Sequence, residues 1–188
     1  MYNIVVFASG NGSTLQSVID AIENKTLDAT ISLVVSDNAA AYALTRAQNA
    51  GIDTYVIQNK TCNEIDQELS QKLKEYNIDL ILLAGYLKLI GKNLIANYTI
   101  INTHPSLLPK FGGKGMYGMN VHRAVIEAKE EYSGVTLHYV NNEYDKGNII
   151  KQTKVKVEPT DTAEDLSKKV QAAEKIQLVE VLKEFTKK

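Results

Sequence analysis

No disulfide can form within this chain of 188 residues, because Cys62 is its only cysteine. The same shortage excludes a thiol-rich metal site and suits a reducing compartment, so the expected location is the cytoplasm. Nor do His104, His122 and His138 make a metal site, since they are scattered and lack carboxylates at ligand spacing. Charge of one sign is also missing: 21 Lys and Arg stand against 22 Asp and Glu, a formal net charge of -1. Without a basic stripe, a nucleic-acid binder held by phosphate contacts is excluded, and small anionic molecules are the expected partners. Long hydrophobic runs are absent. The opening MYNIVVFASG carries a short apolar run and no basic leader, too little for a signal or a membrane span, so a soluble, unprocessed protein is expected.

Internal repeats, low-complexity tracts and interdomain linkers are lacking too, and residues 1–188 read as one domain, able to bury roughly 70% of its unfolded surface. What is present is an alternation of short apolar runs with stretches of helical period. Ile4 to Ala8 precedes Thr14 to Glu23, Ile31 to Ser36 precedes Tyr42 to Asn49, Thr54 to Ile57 precedes Ile65 to Tyr76, and Leu80 to Ala84 precedes Leu94 to Tyr98. Such alternation predicts βαβ units: an α/β, Rossmann-like, three-layer fold with a mostly parallel sheet and helices on both faces. Past Asn102 a Gly/Pro loop, a helix near Val121 to Lys129 and two β runs, Val135 to Val140 and Ile149 to Val157, extend the sheet. A last helix begins near Asp161 or Thr162, with Glu164 placed for a capping box, and runs to about Phe185.

Chemistry gathers where the fifth strand ends. Thr99 to Ile101 deliver an amide, Asn102, and an imidazole, His104, two residues apart, so strand alternation points both to one face. Pro105 and Pro109 then stop the ladder, which puts His104 at the sheet mouth where open α/β folds bind ligands. Early in the chain, Gly10-Asn11-Gly12-Ser13 joins the first strand to the first helix. Glycines there let backbone amides approach a phosphate, and the helix terminus favours negative charge. A dinucleotide fingerprint would need a third glycine at position 15, which is leucine, so NAD is not expected. Cys62 and the serines show no neighbouring base, which leaves no candidate for covalent catalysis.

ASGNGSTLQ at Ala8 to Gln16, LAGYLKLIG at Leu83 to Gly91, NTHPSLLPKFGGKG at Asn102 to Gly115, GVTLHYV at Gly134 to Val140 and DKGNII at Asp145 to Ile150 follow one another along the chain. With these blocks the whole chain resembles the folate-dependent formyltransferases, and within them the branch acting on phosphoribosylglycinamide in purine biosynthesis. The resemblance implies a catalytic trio of Asn102, His104 and Asp145, and 10-formyltetrahydrofolate as formyl donor, with no metal. In it, Asn102 and a protonated His104 would stabilise the oxyanion formed when the amine attacks the formyl carbon, each such donor supplying about 3 kcal/mol. Asp145 would raise the imidazole pKa, and His104 would then protonate the leaving nitrogen.

The resemblance further implies that Gly12, Ser13 and Thr14 hold the substrate phosphate and that Glu174, with Gln171 three residues before it on one helix face, grips the amine end. Leu87, Lys88, Leu89 and Ile90, Asn102, and the stretch Asn142, Glu143 and Tyr144 would form the folate pocket, with His138 beside the trio. The N-terminal half would thus serve the substrate and the C-terminal half the folate. Thr14 stands where the family commonly has asparagine and Lys88 where it usually has arginine, and the region around Cys62 departs as well. His122 reads as an exposed helix residue. Rival readings are a formyltransferase acting on methionyl-tRNA, which would want a further basic domain, or on an amino sugar, and a non-catalytic folate or nucleotide sensor. Monomer and homodimer, and either isomer of Leu108-Pro109, remain open.

Overall fold

Ile4 to Phe7, Leu33 to Val35, Leu80 to Leu83 and Ile100 to Ile101 are buried along their whole length, so these strands have helices on both sides. The computed structural model describes residues 1–187. In chain order the elements are β1 (Tyr2–Phe7), α1 (Ser13–Glu23), β2 (Ala29–Ser36), α2 (Tyr42–Asn49), β3 (Thr54–Val56), α3 (Cys62–Lys72), β4 (Leu80–Leu83), α4 (Lys92–Asn97), β5 (Ile100–His104), α5 (Met119–Glu127), β6 (Tyr132–Tyr139), β7 (Ile149–Lys156) and α6 (Ala163–Thr186), with a 3-10 turn at Leu73–Glu75 after α3. The seven strands form one sheet in the order β3-β2-β1-β4-β5-β6-β7. Pairing is parallel from β3 to β5 and antiparallel for β6 and β7. This is the mostly parallel α/β architecture that the alternating pattern predicts.

Alternation within one strand separates the two cores. Ile4 and Val6 face α1, α2 and α6 with Leu15, Val18, Ala47, Leu178 and Leu182, whereas Val5 and Phe7 face α3 and α4 with Ile65, Leu69 and Leu94. A third cluster joins Val125 of α5 and Val135 of β6 to Leu166 and Val170 of α6. Because β1 lies between β2 and β4, the chain reverses its winding direction there, and a crevice opens at the carboxyl ends of the strands. Every candidate residue in β1, β4 and β5 or just beyond them therefore faces one region.

Several boundaries shift by a few residues from the sequence expectation, and two of the shifts have a visible cause. β5 continues through His104 instead of ending at Ile101, because antiparallel pairing with β6 extends it by Asn102, Thr103 and His104. The last helix caps on Thr162 with Asp165, not Glu164, as the reciprocal partner: the Asp165 N–H donates to Thr162 Oγ1 and the Thr162 N–H to Asp165 Oδ2, each at 3.1 Å. Asp161 is unavailable as cap because its carboxylate takes Lys169 Nζ at 2.7 Å and the Glu158 N–H at 2.9 Å. The box therefore moves one residue along. The Leu108-Pro109 bond is cis.

Gly147 sits where the turn before β7 presses on the end of β6, and a Cβ there would overlap the Tyr139 carbonyl oxygen. Backbone cannot yield as a side chain does. Gly147→Ala is expected to cost roughly 2 kcal/mol by overpacking, which in a chain of this size lowers Tm by roughly 4–8 °C. Thermal unfolding of the variant checks this, and an unchanged Tm would mean the turn lifts off freely.

Candidate active site

Cross-strand pairing assembles the polar centre. Asn102 of β5 lies opposite His138 of β6, and His104 lies opposite Thr136. A backbone carbonyl can only accept, so the contact of 2.9 Å between His138 Nδ1 and the Tyr139 oxygen puts the proton of a neutral ring on Nδ1. Nε2 is then an acceptor and takes an N–H of Asn102 at 3.0 Å. Asn102 Nδ2 lies also 3.4 Å from Asp145 Oδ1, so the neighbouring ring and carboxylate fix the orientation of the amide.

Asp145 closes the centre from the loop after β6. It adopts φ 56°, a left-handed conformation that aspartate tolerates better than most residues. Its Oδ2 accepts the Gly113 N–H at 2.9 Å and lies 3.5 Å from His104 Nδ1. Burial raises this carboxyl, but the facing His138 and His104 rings when protonated, together with the Gly113 amide, bring it below the usual aspartate value. The carboxylate is therefore ionised at neutral pH.

His104 is 4% exposed, and its Nε2–H donates to the Phe111 carbonyl at 2.8 Å. Burial pushes its pKa below the ordinary imidazole value, while Asp145 and the Phe111 carbonyl pull the other way. The expectation of a raised pKa is thus half met: Asp145 acts in the anticipated sense, and desolvation outweighs it. At 3.5 Å the Nδ1 to Asp145 contact is too long for a strong hydrogen bond, so a proton arriving at Nδ1 is stabilised by charge without being fully engaged.

The turn after β5 is built to hold Phe111. Ser106 Oγ donates to the Lys110 carbonyl at 2.7 Å, Thr136 Oγ1 donates to the Ser106 carbonyl at 2.7 Å, and the Leu108 N–H reaches Thr136 Oγ1 at 3.1 Å. Gln152 of β7 donates to Leu108 O and to Thr136 Oγ1, both at 2.9 Å. Two strands therefore fix the carbonyl that orients His104.

Beside this centre opens a cleft of about 730 Å3, lined by Gly10 to Thr14, Tyr86 to Ile90, Asn102 to Pro105, Gly113 to Met119, His122, His138, Glu143 to Asp145, Gln171 and Glu174. Of the sequence candidates it brings together all except Asn142, which is exposed and lies outside its lining. At one end Gly12 takes φ 74° and no side chain caps α1, so the first amides of that helix are open to an anion. Arg46 steadies this loop, its Nε donating to the Asn11 carbonyl and its Nη2 to Asn11 Oδ1, both at 2.9 Å. At the other end Tyr86, Leu87, Leu89 and Ile90 offer an apolar wall, and the buried Tyr86 hydroxyl has no hydrogen-bond partner among the described residues. A flat heteroaromatic ring with polar edges suits that wall.

Glu174 is buried between these ends. Thr14 Oγ1 donates to its Oε2 at 3.0 Å and Thr103 Oγ1 to its Oε1 at 2.8 Å. Burial raises its pKa against the effect of the two hydroxyls. Thr103, Arg46 and Phe111 escaped sequence reasoning, because their partners lie 71, 35 and 7 residues away and leave no local pattern. His122 is a correction: it is 3% exposed, not an exposed helix residue, and its Nδ1 has no partner among the described residues. It shares the inner face of α5 with Val121 and Val125, and burial together with the nearby His104 keeps its pKa low. No group of three or more His, Cys, Asp or Glu among the described residues could hold a metal ion, and no helix among them is long and apolar enough to cross a membrane.

Residues 2–182 match the family model described as formyl transferase. Among curated proteins the chain is similar to a chloroplastic phosphoribosylglycinamide formyltransferase of Arabidopsis thaliana, 39% identical over 95% of this chain and 63% of that protein. It is also similar to the phosphoribosylglycinamide formyltransferase of Escherichia coli K12, 36% identical over 92% of this chain and 81% of that one. The chain thus spans about three fifths of the plant relatives it matches. Among solved structures, a phosphoribosylglycinamide formyltransferase from Bacillus halodurans superposes with a TM-score of 0.91 at 32% identity, covering 99% of this chain and 96% of that one.

Asp145→Asn removes the one anion that opposes desolvation of His104, at nearly constant volume, so the His104 pKa is expected to fall further. The protonated fraction then disappears at a lower pH, and an activity that needs it loses more at pH 8 than at pH 6. NMR titration of the ring in both proteins reads the shift directly. A raised or unchanged value would leave Asp145 a residue that only shapes its turn.

Proposed function

The chain belongs to the formyl transferase family, and from that membership we propose that it transfers a formyl group from 10-formyltetrahydrofolate to the amine of phosphoribosylglycinamide, a step of purine biosynthesis. The observation that carries this reading is a single cleft with an uncapped helix terminus at one end, an apolar wall at the other, and Asn102, His104 and Asp145 between them. The names of the Escherichia coli and Bacillus halodurans relatives support it.

In this reading Gly12, Ser13 and Thr14 bind the substrate phosphate through the open amides of α1, with Gln171 and Glu174 facing the rest of that molecule. Leu87, Lys88, Leu89, Ile90, Glu143 and Tyr144 hold the pterin, with Asn142 flanking them from outside the cleft. The amine attacks the formyl carbon directly, and the charge that develops on the formyl oxygen is met by Asn102 and by a protonated His104. Preorganised donors of this kind each contribute about 3 kcal/mol. Asp145 makes that proton tolerable in a buried place, and as the tetrahedral centre collapses His104 passes it to the departing nitrogen, while the proton shed by the attacking nitrogen restores the ring to its starting state. No covalent bond to the protein is needed.

Ser13→Asp separates the two ends of the cleft. A carboxylate in the first turn favours the helix, so the fold is kept, while it repels a phosphate. The expected result is a rise of on the order of tenfold or more in the phosphoribosylglycinamide KM, with the donor KM nearly unchanged. In the wild type, deformylated folate should appear only when phosphoribosylglycinamide is supplied. Turnover without that acceptor, or an equal rise in both KM values, would overturn the reading.

A further inference from the structure

The donor segment Leu87 to Gly91 follows β4 without secondary structure of its own, and α3 grips it from the side. Cys62 and Asp66 stand one helical turn apart, four residues on, and so share a face. The Cys62 thiol approaches the Leu89 carbonyl at 3.7 Å. Asp66, only 6% exposed, accepts the Asn93 N–H at 3.0 Å and the Leu94 N–H at 3.1 Å. These are first-turn amides of α4, a helix of six residues that no side chain of its own caps. Gly91 packs so tightly on the Asp66 side chain that a Cβ would overlap it.

The clamp itself is firmly seated. A capping box of Thr61 and Glu64 starts α3, Ile65 and Leu69 are buried in the core, and Glu68 ties the helix to the β3 side through Tyr55, Gln58 and Asn59. Across the segment, the Leu87 N–H is fixed on Ser9 Oγ at 3.0 Å. A buried carboxylate that takes two backbone amides and a glycine contact dictates where the downstream end of Leu87 to Gly91 lies.

We infer that Asp66 is a positioning residue for the formyl donor, holding the donor-binding segment in place from α3. The inference rests on the proposed function, which gives this segment to the folate. Its mechanism is local: without the carboxylate the α4 amides lose their acceptor, Gly91 loses its stop, and Leu87 to Ile90 no longer hold one position. The acceptor end, built on α1 and α6, is untouched.

The test measures kcat and both KM values for wild type, Asp66→Asn and Asp66→Ala, with equilibrium titration of a 5,8-dideazafolate analogue of the donor. Asp66→Ala should raise the donor KM on the order of tenfold while the phosphoribosylglycinamide KM stays within about twofold, and Asp66→Asn, whose amide oxygen still accepts, should fall between. A general loss of stability would move both KM values together. Cys62 gives a readout in the unmutated protein. Its thiolate attacks an aromatic disulfide reagent and expels the coloured thiolate, and the folate analogue should slow this several-fold where phosphoribosylglycinamide does not. Should Asp66→Ala fail to fold, Asp66→Asn and Cys62 labelling decide. Wild type that does not bind the analogue would remove the proposed function. Wild type that binds it, with variants binding equally well or with labelling that ignores it, would remove the role of Asp66 alone.

Discussion

One change of strand direction organises the polar centre of the cleft. Had β6 joined the sheet in parallel, its connection would have crossed over a face, and Asn102 would have met a backbone running the other way. Antiparallel pairing instead sets His138 opposite Asn102 and Thr136 opposite His104, so one register fixes two contacts at once. His138 orients the amide, and Thr136 anchors the turn whose Phe111 carbonyl orients the imidazole. A slip of β6 by one residue would turn both His138 and Thr136 away from their partners.

Around that pairing the chain accepts electrostatic costs that a purely structural core would avoid. Asp145, Glu174 and three histidines are wholly or largely withdrawn from water, yet each carboxylate has specific donors: an amide N–H and a ring beside Asp145, two threonine hydroxyls on Glu174. Burying such groups is tolerable only when hydrogen bonds replace hydration. The consequence differs between sites. Asp145 remains ionised, whereas burial raises Glu174 and lowers His104, so the proton affinities of those last two have been moved toward one another.

Much of this was legible in the residues alone, and the limits have physical causes. Parallel strands buried on both faces announce themselves as apolar runs, which is why β1, β2 and β4 and the helices between them emerge from the pattern. Asn102 and His104 stood out because they share one face of a strand that stops at Pro105, whereas Asp145 was named only through the resemblance. His122 was misjudged because a helix leaving a glycine-rich loop can turn either face inward, and nothing local says which. The capping partner of α6 moved by one residue once Lys169 and Glu158 claimed Asp161. The lowered pKa of His104 could not be read at all, since desolvation depends on what the fold lays over the ring.

Glu174 lies in the last helix and receives hydroxyls from the first helix and the fifth strand, while Leu178, Val181 and Leu182 of that helix complete the core against β1. A nascent chain still lacking residues 163–186 therefore has Thr14 and Thr103 without their shared acceptor and one face of the sheet open to water. The Gly10 to Thr14 loop and His104 exist as sequence long before, but the carboxylate that ties the first helix to the fifth strand arrives only with the closing helix.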